Sequence, residues 1–520
     1  MASTLESHDG SVEDQPFHIE QHGIDFIPEQ ERWATARNIG AMWTGSAVNV
    51  EYFIYGALLM EFQISFWTAL SIIILGNLSY LLLGVASLQG PESGTTAFAI
   101  SRAPFGLRGS RIVSFFNWIT QLGFETEGLI LIVGAAMVLF QMAGIHVSSP
   151  LKVILIILAA AIQAVMPYLG HATMVKILRA LIIPFVAIFA LLAIFDLKHG
   201  SVSFKGSLSG WEIYTAALAF TIALSGLGWT ECGNDYTRYL PRDTKKGAIV
   251  GWVFLGTALP EIVLMTLGAL TYTFISSPAQ VNLWGGPNPL SALYGNGQHF
   301  IPSWVIAVFL VFAIIQLFGI NSLDLYSSGV SVQAMGIHLK RYQAVVMDSI
   351  IAGLLTIYAM FQSTFFIYMK EFVGVIIVWI APWFGVYIMD WILRRFRYNP
   401  AELQRTDRDG LYFGGKSGVN WNAIVAFVVG LVASTIAYSK APPPVNFPFH
   451  WMTPISNHFG AFYCAGTASA KCGSAGWTGG ADFSIPMGIL VAAILYFLFE
   501  KVTGYVGMQV VRQKELEPNR

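Results

Sequence analysis

Long apolar stretches recur along the chain and are separated by short polar segments. A helix needs about 20 mostly apolar residues to cross the hydrocarbon core of a bilayer. By this criterion the pattern predicts roughly twelve transmembrane helices and therefore an all-α polytopic membrane protein. The predicted spans cover residues 38–60, 64–88, 112–142, 150–169, 173–195, 212–234, 247–276, 303–334, 342–361, 366–393, 420–439 and 484–508.

Composition agrees with this class of protein. Hydrophobic residues make up 55% of the chain and charged residues 11%, whereas a soluble domain averages about 25% charged residues. The formal net charge is −1, which gives no reason to expect a nucleic-acid partner. The lipid bilayer is the partner that the composition predicts.

Basic residues predict the orientation, because Lys and Arg beside a span resist translocation. With the N-terminus inside, 23 of the 29 Lys and Arg residues fall in inner segments. We therefore expect a multi-pass protein of the plasma membrane, monomeric, with both termini in the cytoplasm. Its predicted parts are an acidic N-terminal tail without a signal peptide (residues 1–30), a transmembrane domain (31–508) and a C-terminal tail (509–520).

Two long loops, 277–302 and 440–483, are predicted to face outward. The second contains Cys464 and Cys472, two of the three cysteines in the chain. In an oxidising outer compartment these thiols could close a small disulfide loop or remain free, and the sequence leaves both alternatives open.

The first and sixth spans are interrupted by small and polar residues. They read NIGAMWTGSAVNVEYFIYGALL and ALSGLGWTECGNDYTRYLPR. Because irregular backbone at membrane depth is tolerated only inside protein or beside a cavity, such breaks indicate a transport site. Their separation by five spans is that expected of two inverted five-helix repeats. Taken singly, Gly45, Gly226 and Gly228 are better explained by helix packing than by binding, and Trp229 is better explained by a lipid or core contact.

Carboxylates occur in the four spans that this repeat would bring together: Glu51, Glu125 and Glu127, Glu231, and Asp324. A charged residue at the centre of a bilayer costs about 2.5–3.5 kcal/mol on insertion scales, which makes each a functional-site hypothesis. The alternative is a polar seam between helices.

The third span carries FNWITQLGFETEG. On a helix, Gln121, Phe124 and Gly128 share one face, and the acids at 125 and 127 flank its opposite edges. We expect Glu125 to serve the substrate or a proton and Glu127 to contact a neighbouring helix.

Several ordered segments resemble the purine-cytosine permease family, also called the nucleobase:cation symporter-1 family. They are GIDFIPEQERWATARNIGAMW, FGLRGSR, NDYTRYLPR, NSLDLYSSGVSVQ and APWFGVYIMDW, and the resemblance extends from about Gly23 to Met508. It implies a LeuT-type fold of two inverted five-helix repeats plus two peripheral helices. It further implies alternating access around a central site between spans one, three, six and eight.

In this family a planar nitrogen heterocycle is held between aromatic rings. The resemblance assigns the first ring to Phe124 and the second to Ser225, Gly226 or Trp229, without deciding between them. Gln121 and Asn321 would hydrogen-bond the substrate, and Gly128 replaces an amide that is common in relatives. Asn49, Glu51 and Asp324 complete the predicted substrate site.

Extra carboxylates favour a substrate with several N–H donors, so we expect cytosine or a purine rather than uracil. The resemblance leaves allantoin, hydantoin, thiamine and pyridoxine-like substrates open. It places a sodium site at the backbone of Ala47 to Val50 and of Gln316 to Ile320, but span eight lacks hydroxyl groups there. We therefore favour a proton carried by Glu125 or Asp324 over sodium, and expect no cofactor or metal centre.

A membrane-embedded enzyme is the first alternative, and the histidines show no ligand-spaced set that would support it. A substrate receptor without transport is the second. Radiolabelled uptake separates a receptor from a transporter, because only a transporter accumulates substrate.

Overall fold

The computed structural model describes residues 16–20, 22–275, 284, 286, 288–294, 300–362, 365–438 and 480–516. All regular secondary structure in these ranges is helical, which confirms the predicted fold class. Cys464, Cys472 and most of the two predicted outer loops lie outside the described residues.

The N-terminal half contains both interrupted spans. Its helices are α1 (Ala36–Ala47), α2 (Val50–Met60), α3 (Phe66–Asn77), α4 (Tyr80–Ala86), α5 (Gln89–Ser93), α6 (Ala97–Ile100), α7 (Arg102–Phe105), α8 (Leu107–Met142), α9 (Ser149–Gln163), α10 (Val165–Leu169), α11 (His171–His199), α12 (Trp211–Leu224) and α13 (Gly233–Thr237).

The C-terminal half contains the remaining helices. They are α14 (Lys246–Ile275), α15 (Ser303–Ala334), α16 (Arg341–Gln362), α17 (Phe365–Leu393), α18 (Pro400–Gln404), α19 (Trp421–Ala437), α20 (Ser484–Thr503) and α21 (Tyr505–Leu516). Short 3-10 helices occupy Glu29–Glu31 and Pro289–Leu293.

Within the described ranges, nine helices are long and apolar enough to cross a membrane. The three other predicted spans correspond to shorter apolar helices, Val50–Met60, Trp211–Leu224 and Trp421–Ala437. Two of these are the predicted discontinuous spans, each divided by a break.

One predicted span needs correction, and another is continuous across a local irregularity. Span 64–88 corresponds to the membrane-crossing stretch Phe66–Ser93, in which Leu78 and Ser79 keep right-handed helical angles between α3 and α4. Span 484–508 stops at Thr503, because Gly504 takes a left-handed φ of 66° that ends α20 before α21 begins. A left-handed residue after the last helical turn is a common helix stop, and glycine adopts it without strain.

The packing places spans three and eight at the centre. Helix α8 lies along α15, and α1 and α2 pack on α14. Helices α19 and α20 pack on each other and on α17 at the periphery. The interrupted spans and the two central helices therefore border one region.

Candidate functional site

The break in span one is closed by Asn49. Helix α1 ends at Ala47, and the Asn49 side chain accepts a hydrogen bond from the Glu51 backbone N–H (2.6 Å). Its amide nitrogen also donates to the Ser46 carbonyl (2.5 Å). Asn49 thus caps α2, which is the usual role of Asn before a helix, and its predicted part in substrate binding stays a prediction.

Two acids meet at one tyrosine. The Tyr55 hydroxyl on α2 interacts with the carboxylates of both Glu51 and Glu127, and all three side chains are buried. Glu127 therefore contacts a neighbouring helix, as expected, whereas Glu125 lies on the side of α8 that faces α15.

The break in span six follows Leu224. Ser225 ends α12 and donates a hydrogen bond to the Glu261 carboxylate on α14. Gly226 donates from its backbone N–H to Ser79 (3.0 Å). A methyl group at Gly226 would lie 2.1 Å from the Tyr80 nitrogen, so this position requires glycine for close packing.

Across the central region, Phe124 on α8 faces Trp229 in the break of span six. The two rings are nearly parallel, with an interplanar angle of 12° and centroids 6.2 Å apart. Phe372 packs edge-on against Phe124 (4.9 Å), and Trp43 packs edge-on against Trp229 (5.4 Å). Of the three residues considered for the second ring, Trp229 is the one opposite Phe124.

One turn from Phe124, the Gln121 amide donates to the Glu231 carboxylate (3.1 Å). The remaining oxygen of each side chain has no hydrogen-bond partner among the described residues, and both side chains are fully buried. A buried acceptor without a donor costs about 1–3 kcal/mol. These oxygens are therefore free to accept N–H groups of a ligand.

On the other side, Asn321 of α15 is fixed by two contacts with spans three and four. Its amide donates to the Glu125 carbonyl (3.2 Å) and to Gln163 (2.9 Å). A methyl group at Gly128 would lie 2.0 Å from the Asn321 Oδ1 atom. The missing side chain at Gly128 is therefore what makes room for Asn321. Asp324, one turn away, interacts electrostatically with Glu51 and Glu231 on the facing spans.

Glu125 belongs to a separate polar group between α8, α15 and α16. Ser328 is its polar neighbour, and neither carboxylate oxygen has a well-aligned hydrogen bond among the described residues. Ser328 donates instead to Asp348 (2.7 Å), which also accepts from the Trp118 indole (2.8 Å). Glu125 thus lies beside a second buried acid.

Some of the groups predicted to coordinate the coupling ion already form hydrogen bonds within the protein. The Ala47 carbonyl accepts a hydrogen bond from the Asn49 N–H (3.0 Å). Val50 begins α2, and the buried Gln316 amide has no partner among the described residues. No group of three or more His, Cys, Asp or Glu side chains suited to a metal occurs in the described part of the chain.

Sequence reasoning missed Glu261, Asp348 and Gln163. Glu261 accepts from the Tyr80 hydroxyl, whose oxygen lies 3.4 Å from the Tyr52 hydroxyl oxygen. Tyr52 in turn accepts from the Trp229 indole (3.2 Å), which connects Glu261 to the ring pair. Each of these residues is a polar side chain inside a predicted span, but none lies in the four spans that the inverted repeat would bring together.

A family model described as permease for cytosine/purines, uracil, thiamine, allantoin matches residues 26–455. The YxlA protein of Bacillus subtilis, which is named as a purine-cytosine permease, is 23% identical over 93% of this chain and 96% of its own. Purine-cytosine permease FCY21 of Saccharomyces cerevisiae is 29% identical over 50% of this chain and 49% of its own.

Among solved structures, the chain is similar to Mhp1, a nucleobase-cation-symport-1 family transporter. The closed Mhp1 with bromovinylhydantoin bound matches with a TM-score of 0.70 and 18% identity, over 94% of this chain and 96% of that one. Inward-facing Mhp1 matches with a TM-score of 0.67 and 17% identity, over 94% of this chain and 95% of that one. This likeness shows the LeuT-type fold.

Proposed function

Because the chain belongs to the family of permeases for cytosine, purines, uracil, thiamine and allantoin, we propose that it imports a planar nitrogen heterocycle together with a proton or sodium ion by alternating access. Membership of this family makes the chain a transporter rather than an enzyme. The observation that carries the proposed substrate class is the parallel pair of Phe124 and Trp229 with unpartnered acceptors beside it.

The spacing of the rings suits a flat ligand after a small movement. A ring held between two aromatic faces needs about 3.5 Å on each side, or about 7 Å in all. The centroids lie 6.2 Å apart, which is an upper limit on the distance between the ring planes, so this gap must widen by at least about 1 Å. Offset or parallel stacking on both faces then supplies binding without selecting one heterocycle.

Discrimination between heterocyclic substrates would come from the buried oxygens of Gln121, Glu231 and Asp324. These atoms accept hydrogen bonds but cannot donate them when the carboxylates are ionised. Cytosine and adenine present an amino group and a ring N–H, whereas uracil would turn more carbonyl oxygens toward the acids. We therefore favour cytosine or a purine over uracil, with Asn321 and Gly128 shaping the opposite edge.

The test is uptake of radiolabelled cytosine and adenine in cells that lack their own nucleobase carriers. Phe124→Ala and Trp229→Ala should each raise KM about 5- to 150-fold, because stacking of a base on an aromatic ring contributes about 1–3 kcal/mol. Phe115→Ala, which removes an exposed ring from the same helix, is the control and should transport normally. Unchanged uptake by both pocket variants would refute the proposed site, and binding without accumulation would indicate a receptor.

For the coupling ion we favour a proton on Glu125 or Asp324, since the predicted sodium site lacks hydroxyl groups on span eight. Uptake into proteoliposomes should follow a pH gradient at constant sodium. Uptake driven by a sodium gradient with pH clamped on both sides would exclude this mechanism. Glu125→Gln or Asp324→Asn should abolish proton-driven uptake, according to which of the two acids carries the proton. Among the two acids of span three, loss only in Glu127→Gln would reverse the assignment.

We also propose that both termini lie in the cytoplasm and that the protein is monomeric. Residues 22–35 support the first point, because they pack on the ends of spans six and eight that carry the inner basic residues. Protease access to tagged termini in sealed right-side-out vesicles tests it.

A further inference from the structure

A cavity of about 590 Å³ lies at the predicted cytoplasmic end of the protein and shares no lining residue with the proposed transport site. It is formed by the start of the loop after α13, the end of α17 and one face of α21. Its lining includes five basic side chains and one acidic one, namely Arg242, Arg394, Arg395, Arg397, Lys514 and Glu92.

Basic residues near inner membrane ends are expected in any polytopic protein, so their number alone indicates nothing. What distinguishes this group is that its members converge on one cavity around a buried guanidinium. Arg394 is 2% exposed. It binds Asp390 (2.7 Å), Gln509 of α21 (2.7 Å) and the Ala103 carbonyl (3.1 Å).

The Arg394 Nη1 atom is buried and has no hydrogen-bond partner among the described residues. A buried cationic donor that lines a cavity without an acceptor is costly unless a ligand supplies one. Arg242 forms an ion pair with Glu92 (2.9 Å), whereas Arg395 and Lys514 are exposed at the cavity. The cavity therefore carries a surplus of positive charge.

We propose that this cavity binds a phosphate-bearing anion, and that a lipid headgroup is its natural source. Guanidinium groups match phosphate oxygens in pairs of parallel hydrogen bonds. The volume falls in the range of small-ligand sites, about 300–1,000 Å³. Basic pockets on the cytoplasmic side of membrane proteins suit acidic lipid headgroups.

Exposed apolar residues favour a lipid over a soluble phosphate. Phe396 lies between Arg395 and Arg397 and is 47% exposed, and Met508 and Val511 are exposed on α21. Such residues can contact acyl chains while the neighbouring basic groups hold the headgroup. A bound lipid would then bridge the end of α17 and helix α21, which Arg394 and Gln509 already join.

The experiment is thermal unfolding of the purified full-length protein in neutral detergent, titrated with three probes. These are dioctanoyl phosphatidylglycerol, dioctanoyl phosphatidylcholine and glycerol 3-phosphate. A ligand of the folded state raises the unfolding temperature in a saturable way. We expect saturation with phosphatidylglycerol at a concentration at least tenfold lower than with either other probe.

Arg395→Gln/Arg397→Gln is the test variant, because both side chains are exposed and their loss should not impair folding. At about 1 kcal/mol for each basic residue, the midpoint for phosphatidylglycerol should rise about 30-fold. Arg408→Gln/Lys416→Gln removes the same charge from exposed inner positions outside the cavity and should leave the midpoint unchanged.

Tighter saturation by glycerol 3-phosphate, sensitive to the same variant, would retain the anion site but assign it to a soluble phosphate. Equal shifts in the test and control variants would show charge attraction without a site and overturn the proposal. The absence of saturable stabilisation by any of the three probes would also overturn the proposal.

Discussion

Replacing Glu20 with Gln should release the N-terminal segment from the ends of the transmembrane helices on which it packs. The Glu20 carboxylate is 4% exposed and accepts hydrogen bonds from the Tyr326 hydroxyl (2.9 Å), the His171 backbone N–H (2.9 Å) and Tyr239. Arg238 and Arg341 lie 3.6 Å and 3.7 Å from its oxygens. One carboxylate thus holds together the ends of spans five, six, eight and nine.

The free-energy cost of Glu20→Gln follows from the two buried guanidinium groups of Arg238 and Arg341. Removing one partner of a buried ion pair costs about 3–5 kcal/mol, because the remaining charge loses its compensation. Gln keeps the shape and one acceptor, so we expect the lower value, about 3 kcal/mol. That corresponds to about a 150-fold increase in the fraction of molecules with a released segment.

The sign of the pH dependence follows from the pKa of Glu20. Burial alone would raise this pKa, but the charges of Arg341 and Arg238 and the Tyr239 hydrogen bond together lower it. Because the pKa of Glu20 is lower in the folded protein, its carboxylate contributes its full stabilisation at pH values above the unfolded pKa, about 4.3. This stabilisation is lost as the pH falls through the folded pKa. The Gln variant should show no such loss in acid.

Limited trypsin digestion at neutral pH measures release, because Arg32 is buried in the native protein and becomes a cleavage site when the segment detaches. Glu20→Gln should be cut after Arg32 much faster than the wild type. Glu29→Gln is the control, since its ion pair with Arg32 (3.0 Å) has a half-exposed carboxylate and exposed pairs contribute about 0–1 kcal/mol. Equal cleavage of the two variants would refute the reasoning.

Three other substitutions test the geometry of the breaks and the site. Gly128→Ala should raise the substrate KM at least tenfold in uptake assays, because the new methyl group would displace the Asn321 amide. Asn49→Ala should lower the unfolding free energy by about 1 kcal/mol through loss of the α2 cap, as measured by thermal unfolding. Glu261→Leu should destabilise the protein more, by about 2–5 kcal/mol, because the buried hydroxyl groups of Tyr80 and Ser225 lose their acceptor.

The elements that follow from local sequence were predictable. Apolar runs gave the predicted helices, and span 303–334 coincides with α15 because its ends are marked by Pro302 and Gly336. Breaks in spans one and six followed from clustered small and polar residues. Helical periodicity correctly placed Gln121, Phe124 and Gly128 on one face, toward spans six and eight.

The contacts that join distant parts of the chain were not predictable. Glu20 and Tyr326 are separated by 306 positions and Asn321 and Gln163 by 158. No local sequence pattern predicts such a pairing. For the same reason the sequence indicates only that Gly128 replaces an amide common in relatives, whereas in the fold this position makes room for the Asn321 side chain. Residues 22–30, predicted as tail, likewise pack against the transmembrane helices.

The composition of the site connects the questions of substrate and coupling ion. Glu51, Glu127, Glu231 and Asp324 are buried, and within the described residues none forms an ion pair with Lys or Arg. Each uncompensated carboxylate costs about 2.5–3.5 kcal/mol at membrane depth. A coupling cation and the N–H donors of a substrate would each lower that cost at the same group of acids. Because both ligands compensate the same charges, electrostatics alone would make each weaken the binding of the other. Cooperative binding must therefore come from a conformation that both ligands favour, and by linkage the effect must be equal in both directions. Substrate titrations at several fixed cation concentrations measure this coupling directly, and an apparent Kd that does not change with the cation would separate the two functions.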